Sequence, residues 1–328
     1  MNLNDILRMM FVALNTFLVI GGMVGNLFTV LLITQKKKMQ TITNTFVFNL
    51  AVADLAISMF VLPLTTAREL GIWKVNELEC TILLPLLEHF AGVCVLTHAA
   101  LSLARYYVVS NANRSRDLLL YHAIAIVIFI WIVAFVIISV GLMGIFAKFT
   151  LERNVCKLKY ISEKRRLVYR LFIYLLTYII PMLSSGFAYY KIHRTVFKTI
   201  KFLKDHMPKE TLKCRKRSSR KLDRVIWTMY VFFGLTTLPL QLFYIANDLK
   251  WVSKSIAKPM WTVLLRLFYL QIITNPLVLF YMGEEYRKEL YKLSVCFCKP
   301  KQVSELSVKV RGSLIIPRKK YAGKGNFC

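Results

Sequence analysis

Four of the ionisable side chains inside long apolar stretches of the sequence are candidates for a function. Asp54 lies in NLAVADLAISMFVLPL, and Arg105 closes a similar stretch, while Glu88 and Arg266 each lie several residues inside another. Such groups are costly in an apolar medium and often mark a functional site. The sequence shows no Ser/His/Asp set, no metal-ligand cluster and no phosphate-binding glycine loop. The charges therefore indicate binding or conformational control rather than covalent catalysis.

Seven apolar stretches carry these residues. They cover approximately residues 10–34, 43–67, 79–109, 121–147, 167–197, 222–247 and 258–282. Each exceeds the roughly 17 residues that a membrane-spanning helix needs. Helices are expected because backbone groups in lipid must be satisfied within their own segment. Runs such as AIAIVIFIWIVAFVIISVG also lack the alternation of a β-barrel. The sequence predicts an all-α, seven-helix membrane bundle.

The composition supports this prediction. Hydrophobic residues make up 56% of the chain and charged residues 19%, below the roughly 25% usual for soluble domains. A soluble enzyme and a disordered chain are both excluded. The net charge of +28 is high, but the basic residues lie between apolar stretches, where they report topology and contact with anionic lipids. We expect membrane lipids as partners, and no nucleic acid.

Basic residues are distributed unevenly between the two sides of the predicted bundle. The loops after the first, third and fifth stretches and the tail after Gly283 carry 29 Lys and Arg, whereas the opposite side carries 13. Because cytoplasmic segments are enriched in Lys and Arg, we expect an extracellular N-terminus and a cytoplasmic tail. MNLNDILRMM shows no clear cleavage site, so the first stretch is expected to serve as its own insertion signal.

The sequence divides into three parts. Residues 1–9 are predicted to be a short extracellular N-terminus, 10–298 the helical bundle, and 299–328 a disordered basic tail. The bundle ends with GEEYRKELYKLSVCFC, whose apolar residues share one helical face and predict a short amphipathic helix on the cytoplasmic membrane surface. Cys296 and Cys298 at its end are candidates for palmitoylation; the alternative is unmodified cytosolic thiols.

Polar and proline markers along the stretches resemble those of class A (rhodopsin-like) G-protein-coupled receptors, from about Gly22 to Cys298. They are Gly25-Asn26, then Asn49 and Asp54 in NLAVADL, Cys80 and Arg105 at a spacing of 25, Trp131, Pro181 with Tyr189, Pro239, Asn275-Pro276 and YRKEL. Each marker is weak alone, but the ordered set is specific. The resemblance implies a plasma-membrane receptor without a cofactor that binds an extracellular ligand and activates a heterotrimeric G protein. Arrestin and receptor kinases are further expected partners.

The resemblance also assigns roles inside the bundle. It implies a disulfide between Cys80 and Cys156, the alternative being two free thiols, and an activation core. The members of that core are Asn26, Asp54, Val95, Pro181, Phe233, Pro239, Asn275 and Pro276. Asp54 needs polar partners, for which Asn26 and Asn275 are expected; the alternative role is a static structural carboxylate. In the family this carboxylate binds sodium, but Cys94 and Gln271 replace the usual serine and asparagine, which argues against sodium here.

Three family markers are replaced. Ala104 precedes Arg105 where the family has an acid, Thr237 stands in place of a tryptophan, and Leu279 in place of the tyrosine of NPxxY. These departures make this an atypical member. They also leave open a decoy receptor that binds ligand without signalling.

Ligand recognition is expected at the extracellular end. Candidate residues for it are Glu88, Gln241, Tyr244, Arg266 and Tyr269. Amine receptors carry an aspartate where Leu87 stands, which disfavours an amine; because Glu88 is the next residue, an amine is kept as the alternative. The loop KFTLERNVCKLKYISEKRR has seven basic and two acidic residues, which favours an acidic small molecule or a peptide. Arg266 either contacts such a ligand or pairs with Glu88. His89 and His98 are interpreted as packing residues rather than metal ligands.

At the cytoplasmic end, the resemblance implies that Arg105, Tyr106 and Tyr189 line a cavity for the G protein, opened by movement of the sixth span. A transporter is the alternative from another class of protein. It would need several polar residues along one path and broken helices in matching halves. Asp54 and Arg266 are too few and too far apart for such a path.

Restoring the missing acid is predicted to lower basal signalling. Because Ala104 carries no charge beside Arg105, we expect a weakened inactive state, and Ala104→Asp should reduce G-protein activation without ligand at matched surface expression. The uncharged Ala104→Asn variant is the control and should signal like the unaltered chain. Equal basal signalling in all three proteins would contradict the hypothesis that the missing acid weakens the inactive state.

Overall fold

The computed structural model describes residues 3–74, 76–110, 116–152, 155–204 and 209–298. Within them, seven helical stretches are long and apolar enough to cross a membrane, as predicted. We call them spans 1 to 7: Arg8–Gln35, Ile42–Ala67, Glu79–Ser110, Leu120–Val140, Glu163–Lys201, Arg224–Asp248 and Ser255–Met282. The tail at 299–328, predicted to be disordered, lies outside the described residues.

The helices of the described chain are mostly long and are joined by short connections. The α-helices are Leu3–Gln35, Ile42–Ala56, Leu62–Leu70, Leu84–Ser110, Arg116–Ala134, Glu163–Tyr174, Ile180–Lys204, Lys209–Asp248, Lys254–Tyr269, Gln271–Met282 and Glu284–Cys298. Short π-helical turns lie within spans 2 to 5, at Ile57–Val61, Glu79–Leu83, Phe135–Val140 and Leu175–Ile179. A 3₁₀ turn, Lys37–Met39, connects spans 1 and 2. Strands β1 (Ala147–Glu152) and β2 (Val155–Tyr160) form an antiparallel hairpin between spans 4 and 5.

Hydrophobic side chains fill the centre of the bundle and also cover its outside. Phe46, Leu101 and Ile272 are buried between spans, whereas Phe129 and Leu235 are exposed on the surface of the bundle. In a soluble domain such an exposed apolar surface would promote aggregation. Around a bundle of seven spans it is the surface that lipid covers.

Span 4 ends earlier than the sequence prediction, which placed its end near residue 147. The span ends at Val140, and Gly144 has a φ of +131°, a conformation that glycine adopts at little cost. The strand β1 then begins at Ala147. The ring of Phe146 lies 5.1 Å from that of Tyr169 in span 5. These apolar residues are thus buried by protein, which is why hydropathy alone extended the span too far.

The proline in span 7 explains one contact with span 1. Pro276 has no N–H, so the carbonyl one turn earlier, on Ile272, lacks its helical donor. The amide of Asn26 supplies one, at 2.9 Å from that carbonyl oxygen. Gly25 makes this close approach possible, since a Cβ there would lie 2.7 Å from Cγ of Pro276.

Spans 2, 3 and 4 are joined by a second polar contact. The indole of Trp131 donates to Oδ1 of Asn49 at 2.7 Å, and the amide of Asn49 donates to the Thr97 hydroxyl at 2.8 Å. Hydrogen bonds of this kind replace the hydrophobic driving force, which is weak between helices in lipid.

The predicted surface helix is present as Glu284–Cys298. Tyr286 is buried and its hydroxyl donates to Asn44 at 3.1 Å. Glu285 and Glu289 form ion pairs with Lys38 and Lys36, at 3.3 and 3.8 Å. The helix is therefore attached to the connection between spans 1 and 2. The side chains of its last residues, among them Cys296 and Cys298, lie outside the described part.

Filling the gap at Gly25 is predicted to destabilise the protein. In a helix, Gly→Ala normally stabilises by up to about 1 kcal/mol. At Gly25 the new methyl would meet the rigid ring of Pro276, so we expect Gly25→Ala to cost about 1–3 kcal/mol instead. The readout is the thermal unfolding midpoint in detergent.

Gly186→Ala is the matched control, because its Cβ would meet only the Tyr230 hydroxyl at an ordinary 3.7 Å. We expect this variant to be at least as stable as the unaltered chain. An equal or higher midpoint for Gly25→Ala would contradict the close approach of spans 1 and 7.

Candidate functional site

A buried carboxylate joins three spans at the centre of the bundle. Asp54 in span 2 is fully buried. Its Oδ2 accepts a hydrogen bond from the amide of Asn275 at 2.9 Å, and its Oδ1 accepts one from the thiol of Cys94 at 3.3 Å. We call Asp54, Cys94 and Asn275 the central hub. Through it, spans 2, 3 and 7 share one charged group.

The sequence identified one of the two expected partners of Asp54. Asn275 donates to it. The expectation for Asn26 was wrong, because both hydrogens of its amide go to backbone carbonyls, those of Gly22 and Ile272, each at 2.9 Å. The Ile272 carbonyl, which lacks its helical donor because of Pro276, takes the Asn26 amide in place of Asp54.

The partners of Asp54 argue against the oxygen-rich ligand set that a sodium ion prefers. Hard cations take oxygen ligands, but a thiol occupies one carboxylate oxygen and an amide N–H the other. Thiol sulfur is a soft donor that suits other metals. Within the described chain there is also no group of three His, Cys, Asp or Glu residues that would hold a metal.

Near the hub, spans 3 and 6 meet through two stacked rings. His98 lies one turn along span 3 from Cys94, and its ring stacks on that of Phe233 at 4.7 Å and 25°. One turn further along span 6, Thr237 is fully buried and its hydroxyl has no hydrogen-bond partner. Phe233 and Val95 are both buried members of the main core. His98 packs inside the bundle as predicted, but Phe233 was not predicted as its partner.

Four of the five predicted ligand-binding residues lie at the hairpin end of the bundle, the end that carries β1 and β2. Glu88 is exposed and within electrostatic interaction range of Tyr244 and Tyr269. Tyr269 also interacts with Arg266. We call Glu88, Tyr244, Arg266 and Tyr269 the hairpin-end cluster. The fifth residue, Gln241, is half-buried and three residues before Tyr244, on the same helical face.

Arg266 is largely enclosed by its own surroundings. It is 5% exposed, donates to the carbonyl of Thr262 at 2.8 Å, and lies over the ring of Phe11 at 4.4 Å. Such a cation–π contact stabilises the charge where water is scarce. Because Arg266 is enclosed in this way, the structure does not support the prediction that its guanidinium receives an acidic ligand.

An ion pair absent from the sequence prediction joins spans 5 and 6 at the hairpin end. Nε of Arg170 lies 3.4 Å from Oδ2 of Asp248. The same guanidinium lies over the rings of Tyr160, at 5.7 Å, and Tyr244, at 5.2 Å. The indole of Trp261 in turn donates to the Tyr244 hydroxyl at 3.3 Å. We call Arg170, Asp248, Tyr160 and Tyr244 the clasp.

The hairpin is attached to span 3 by the expected disulfide between Cys80 and Cys156. Its register places alternate residues on opposite faces. One face is apolar and packs toward spans 4 and 5 through Ala147, Phe149, Leu158 and Tyr160. The other, which we call the outward face, carries Lys148, Thr150, Glu152, Lys157 and Lys159.

The outward face is basic. Both oxygens of Glu152 accept from lysines, Oε2 from Lys157 at 3.1 Å and Oε1 from Lys159. Hydrogen bonds from Lys159 and Lys157 lower the pKa of Glu152, which therefore stays ionised at neutral pH. One carboxylate still faces three ammonium groups, because Lys148 lies opposite Lys159 in the register.

Aromatic side chains surround the predicted coupling residues at the opposite end of the bundle. Arg105 is 9% exposed at the end of span 3. Tyr189 of span 5 packs against Trp227 and Tyr230 of span 6, with ring centroids 5.0 and 5.3 Å apart. The ring of Tyr106 lies 6.4 Å from that of Phe187. We call this the arginine end.

Comparison with known proteins agrees with this architecture. Residues 25–279 match the family model described as 7 transmembrane receptor (rhodopsin family). The neuropeptide F receptor of Drosophila melanogaster is 22% identical over 90% of this chain, which spans 64% of that receptor's length. Human neuropeptide Y receptor type 2 is 25% identical, with 93% of this chain and 82% of the receptor covered.

Two further relatives extend the comparison. Human galanin receptor type 1 is 24% identical, with 84% of this chain and 78% of the receptor covered. The crystal structure of squid rhodopsin superposes with a TM-score of 0.71 at 21% identity, covering 90% of this chain and 89% of that one. This last likeness establishes the fold, which is the one predicted.

Reversing one charge of the clasp is predicted to loosen the hairpin end. Arg170→Asp or Asp248→Arg places like charges together, so we expect faster amide hydrogen exchange in residues 160–174 and 244–251. The double variant restores opposite charges and should return exchange toward the original rate.

Glu284→Lys is the control, since it breaks an exposed ion pair with Lys288 on the surface helix, far along the chain from the clasp. It should leave exchange at the hairpin end unchanged. If amide hydrogens at the hairpin end exchange no faster in the single variants than in this control, the ion pair does not stabilise the contact between spans 5 and 6.

Proposed function

The chain belongs to the rhodopsin family of seven-transmembrane receptors, and we propose that it binds an extracellular peptide and activates a heterotrimeric G protein. The observation that carries this proposal is the central hub. It links spans 2, 3 and 7 between the hairpin-end cluster at one end and Arg105 at the other. A ligand that shifts any of these spans must disturb hydrogen bonds to the same carboxylate, so the two ends are coupled.

Three observations favour a peptide over an amine or an acidic small molecule. Proteins similar to this chain are named as receptors for neuropeptides and galanin. Leu87 is buried where amine receptors carry an aspartate. The hairpin adds a broad polar surface beside the hairpin-end cluster, of a size suited to a chain-like ligand.

We further propose that the hairpin end is extracellular and that the receptor lies in the plasma membrane. The excess of Lys and Arg on the other side of the bundle supports this orientation. So does the disulfide, because thiols are oxidised outside the cytosol. The chain then comprises an extracellular N-terminus at 1–9, the receptor domain at 10–298 and a cytoplasmic tail at 299–328.

At the arginine end we propose that Arg105, Tyr106 and Tyr189 contact the G protein after span 6 moves. Pro239 lies inside the helix of span 6, where the missing N–H removes one helical hydrogen bond and makes such a movement easier. Arrestin and receptor kinases are proposed to act at the same end. Cys296 and Cys298 would attach the surface helix to the bilayer through palmitoyl groups.

A decoy receptor is the second candidate function, favoured by the replaced markers. Thr237 and Leu279 are both buried where the family has a tryptophan and a tyrosine. The aromatic contacts of Tyr189 with Trp227 and Tyr230 argue for signalling, since they connect spans 5 and 6 at the arginine end without the missing tyrosine.

Nucleotide exchange distinguishes the two candidates. The receptor in nanodiscs is mixed with purified Gα of each main class plus βγ, and GTP-analogue uptake is measured without ligand. We expect uptake above that of G protein alone with at least one class, and a fall to that background for Arg105→Ala. Arg8→Ala, an exposed arginine at the hairpin end of span 1, is the control and should retain full exchange. No exchange with any class would contradict signalling in the absence of ligand and would leave either a decoy or a receptor that is silent until its ligand binds.

A further inference from the structure

An apolar groove lies between spans 2 and 3, in the half of the bundle nearer the hairpin. It encloses about 420 Å³. Along span 3 it extends from Leu83 to Phe90, about 10 Å at 1.5 Å per residue. On the span 2 rim, Met59 and Phe60 are 49% and 54% exposed. Because both walls belong to membrane-spanning stretches, the groove opens toward lipid. Its volume is within the roughly 300–1,000 Å³ of small-molecule sites.

Irregular backbone shapes both walls of this groove. Met59 and Phe60 belong to the π-helical turn Ile57–Val61 of span 2. On the other wall, Leu83 ends the π-helical turn Glu79–Leu83 of span 3. Such turns are rare and are frequently found at functional sites. Two of them at one groove indicate that its shape is specified by the backbone, and not only by the rotamers of its side chains.

One polar side chain, that of His89, lines the groove. It is 8% exposed, and its Nδ1 lies within hydrogen-bond distance of the carbonyl oxygen of Leu86. Since a carbonyl oxygen only accepts, Nδ1 carries the proton of this bond. A charged ring would be costly among apolar groups, so the ring is neutral and its Nε2 is an acceptor. Within the described chain, no donor is hydrogen-bonded to this Nε2.

Aromatic contacts hold the ring of His89 in place. Its centroid lies 4.4 Å from that of Phe90 and 5.6 Å from that of Trp131 in span 4. Phe135, the first residue of the π-helical turn in span 4, lies edge-on at 6.4 Å. Because the imidazole is packed on several sides, Nε2 is presented at one position in the wall of the groove.

The apolar walls and the single acceptor together define the ligand that fits. A charged molecule would find no compensating group there and would first have to enter hydrocarbon, which is costly. A hydrocarbon body suits the walls, and a hydroxyl is a neutral donor that can satisfy Nε2 of His89. An acceptor that an apolar ligand covered without supplying a donor would cost binding free energy.

We propose that this groove binds a lipophilic alcohol from the bilayer, whose apolar body packs between spans 2 and 3 and whose hydroxyl donates to Nε2 of His89. The site is reached from lipid, so the alcohol is a second ligand and the inference goes beyond the proposed peptide receptor. Sterols and chain alcohols share this chemistry, and the experiment distinguishes them.

Photolabelling tests the proposal on the whole receptor in nanodiscs. Two probes are used, a cholesterol and an octanol that each carry a diazirine, and mass spectrometry locates the labelled residues. Labelling is then competed with the unlabelled parent alcohol or with its methyl ether, which has the same body but no donor. The readout is the ratio of the half-competing amounts of ether and alcohol, each expressed per lipid so that partitioning is removed.

We expect saturable labelling of residues that line the groove with at least one probe. The ether should be needed at about three- to tenfold higher amounts, the typical effect of one net hydrogen bond. His89→Phe keeps a ring without an acceptor, so labelling should persist while the ratio falls to one. His89→Gln restores an acceptor and should restore the preference for the alcohol.

A second pair of variants tests the groove itself. Met59→Trp places a larger side chain on the rim, so it should reduce labelling by alcohol probes whatever their hydroxyl donates to. Leu235→Trp is the matched control, because Leu235 is also lipid-facing, at 62% exposure, but lies in span 6 away from the groove. It should leave labelling unchanged.

Several results would overturn the proposal. One is labelling by both probes that is spread over lipid-facing residues such as Phe129 and Leu235, or that unlabelled alcohol does not reduce. Another is a ratio near one in the unaltered chain, or a ratio that His89→Phe leaves unchanged. Saturable labelling by the cholesterol probe would identify a sterol, and by the octanol probe a chain alcohol. The measurement contains no G protein, so its outcome is independent of nucleotide exchange.

Discussion

The buried carboxylate of Asp54 is the constraint on which the arrangement of spans depends. A charge in the middle of a bilayer is tolerated only with polar partners, and no water is at hand to supply them. Spans 3 and 7 supply them through Cys94 and Asn275. The adjacent Pro276 frees a carbonyl that Asn26 of span 1 then satisfies. Satisfying one charge and the backbone beside it therefore positions four of the seven spans.

The features that sequence reasoning predicted well are those with a local cause. Each span follows from a run of apolar residues, and the surface helix from the spacing of apolar residues around Tyr286. The contact of Asn275 with Asp54 was predicted because a charge inside the membrane needs a partner. The same reasoning placed the end of span 4 too late. The ring of Phe146 packs against that of Tyr169, so this apolar residue is covered by protein and does not continue the span into lipid.

The clasp was beyond prediction because it depends on how spans 5 and 6 are rotated against each other. Arg170 and Asp248 are far apart in sequence and belong to different spans. Nothing in either stretch specifies that their ends meet. The hairpin did have a signal, the alternation of AKFTLE and VCKLKY, in which apolar residues occupy every second position. The loop was interpreted only by its total positive charge, so the alternation of apolar and polar residues that predicts two strands was not used.

The contacts of span 6 differ in kind along its length. At the hairpin end it is held to span 5 by an ion pair that is partly exposed to solvent. At the arginine end, Trp227 and Tyr230 pack against Tyr189 of span 5. Between them, Phe233 stacks on His98 of span 3. An exposed ion pair contributes only about 0–1 kcal/mol and is weakened by salt, whereas buried aromatic packing is not screened. The hairpin end of span 6 is therefore the end that a charged ligand perturbs most easily. A rotation begun there would act on the stacked rings beside the central hub before it reached Arg105.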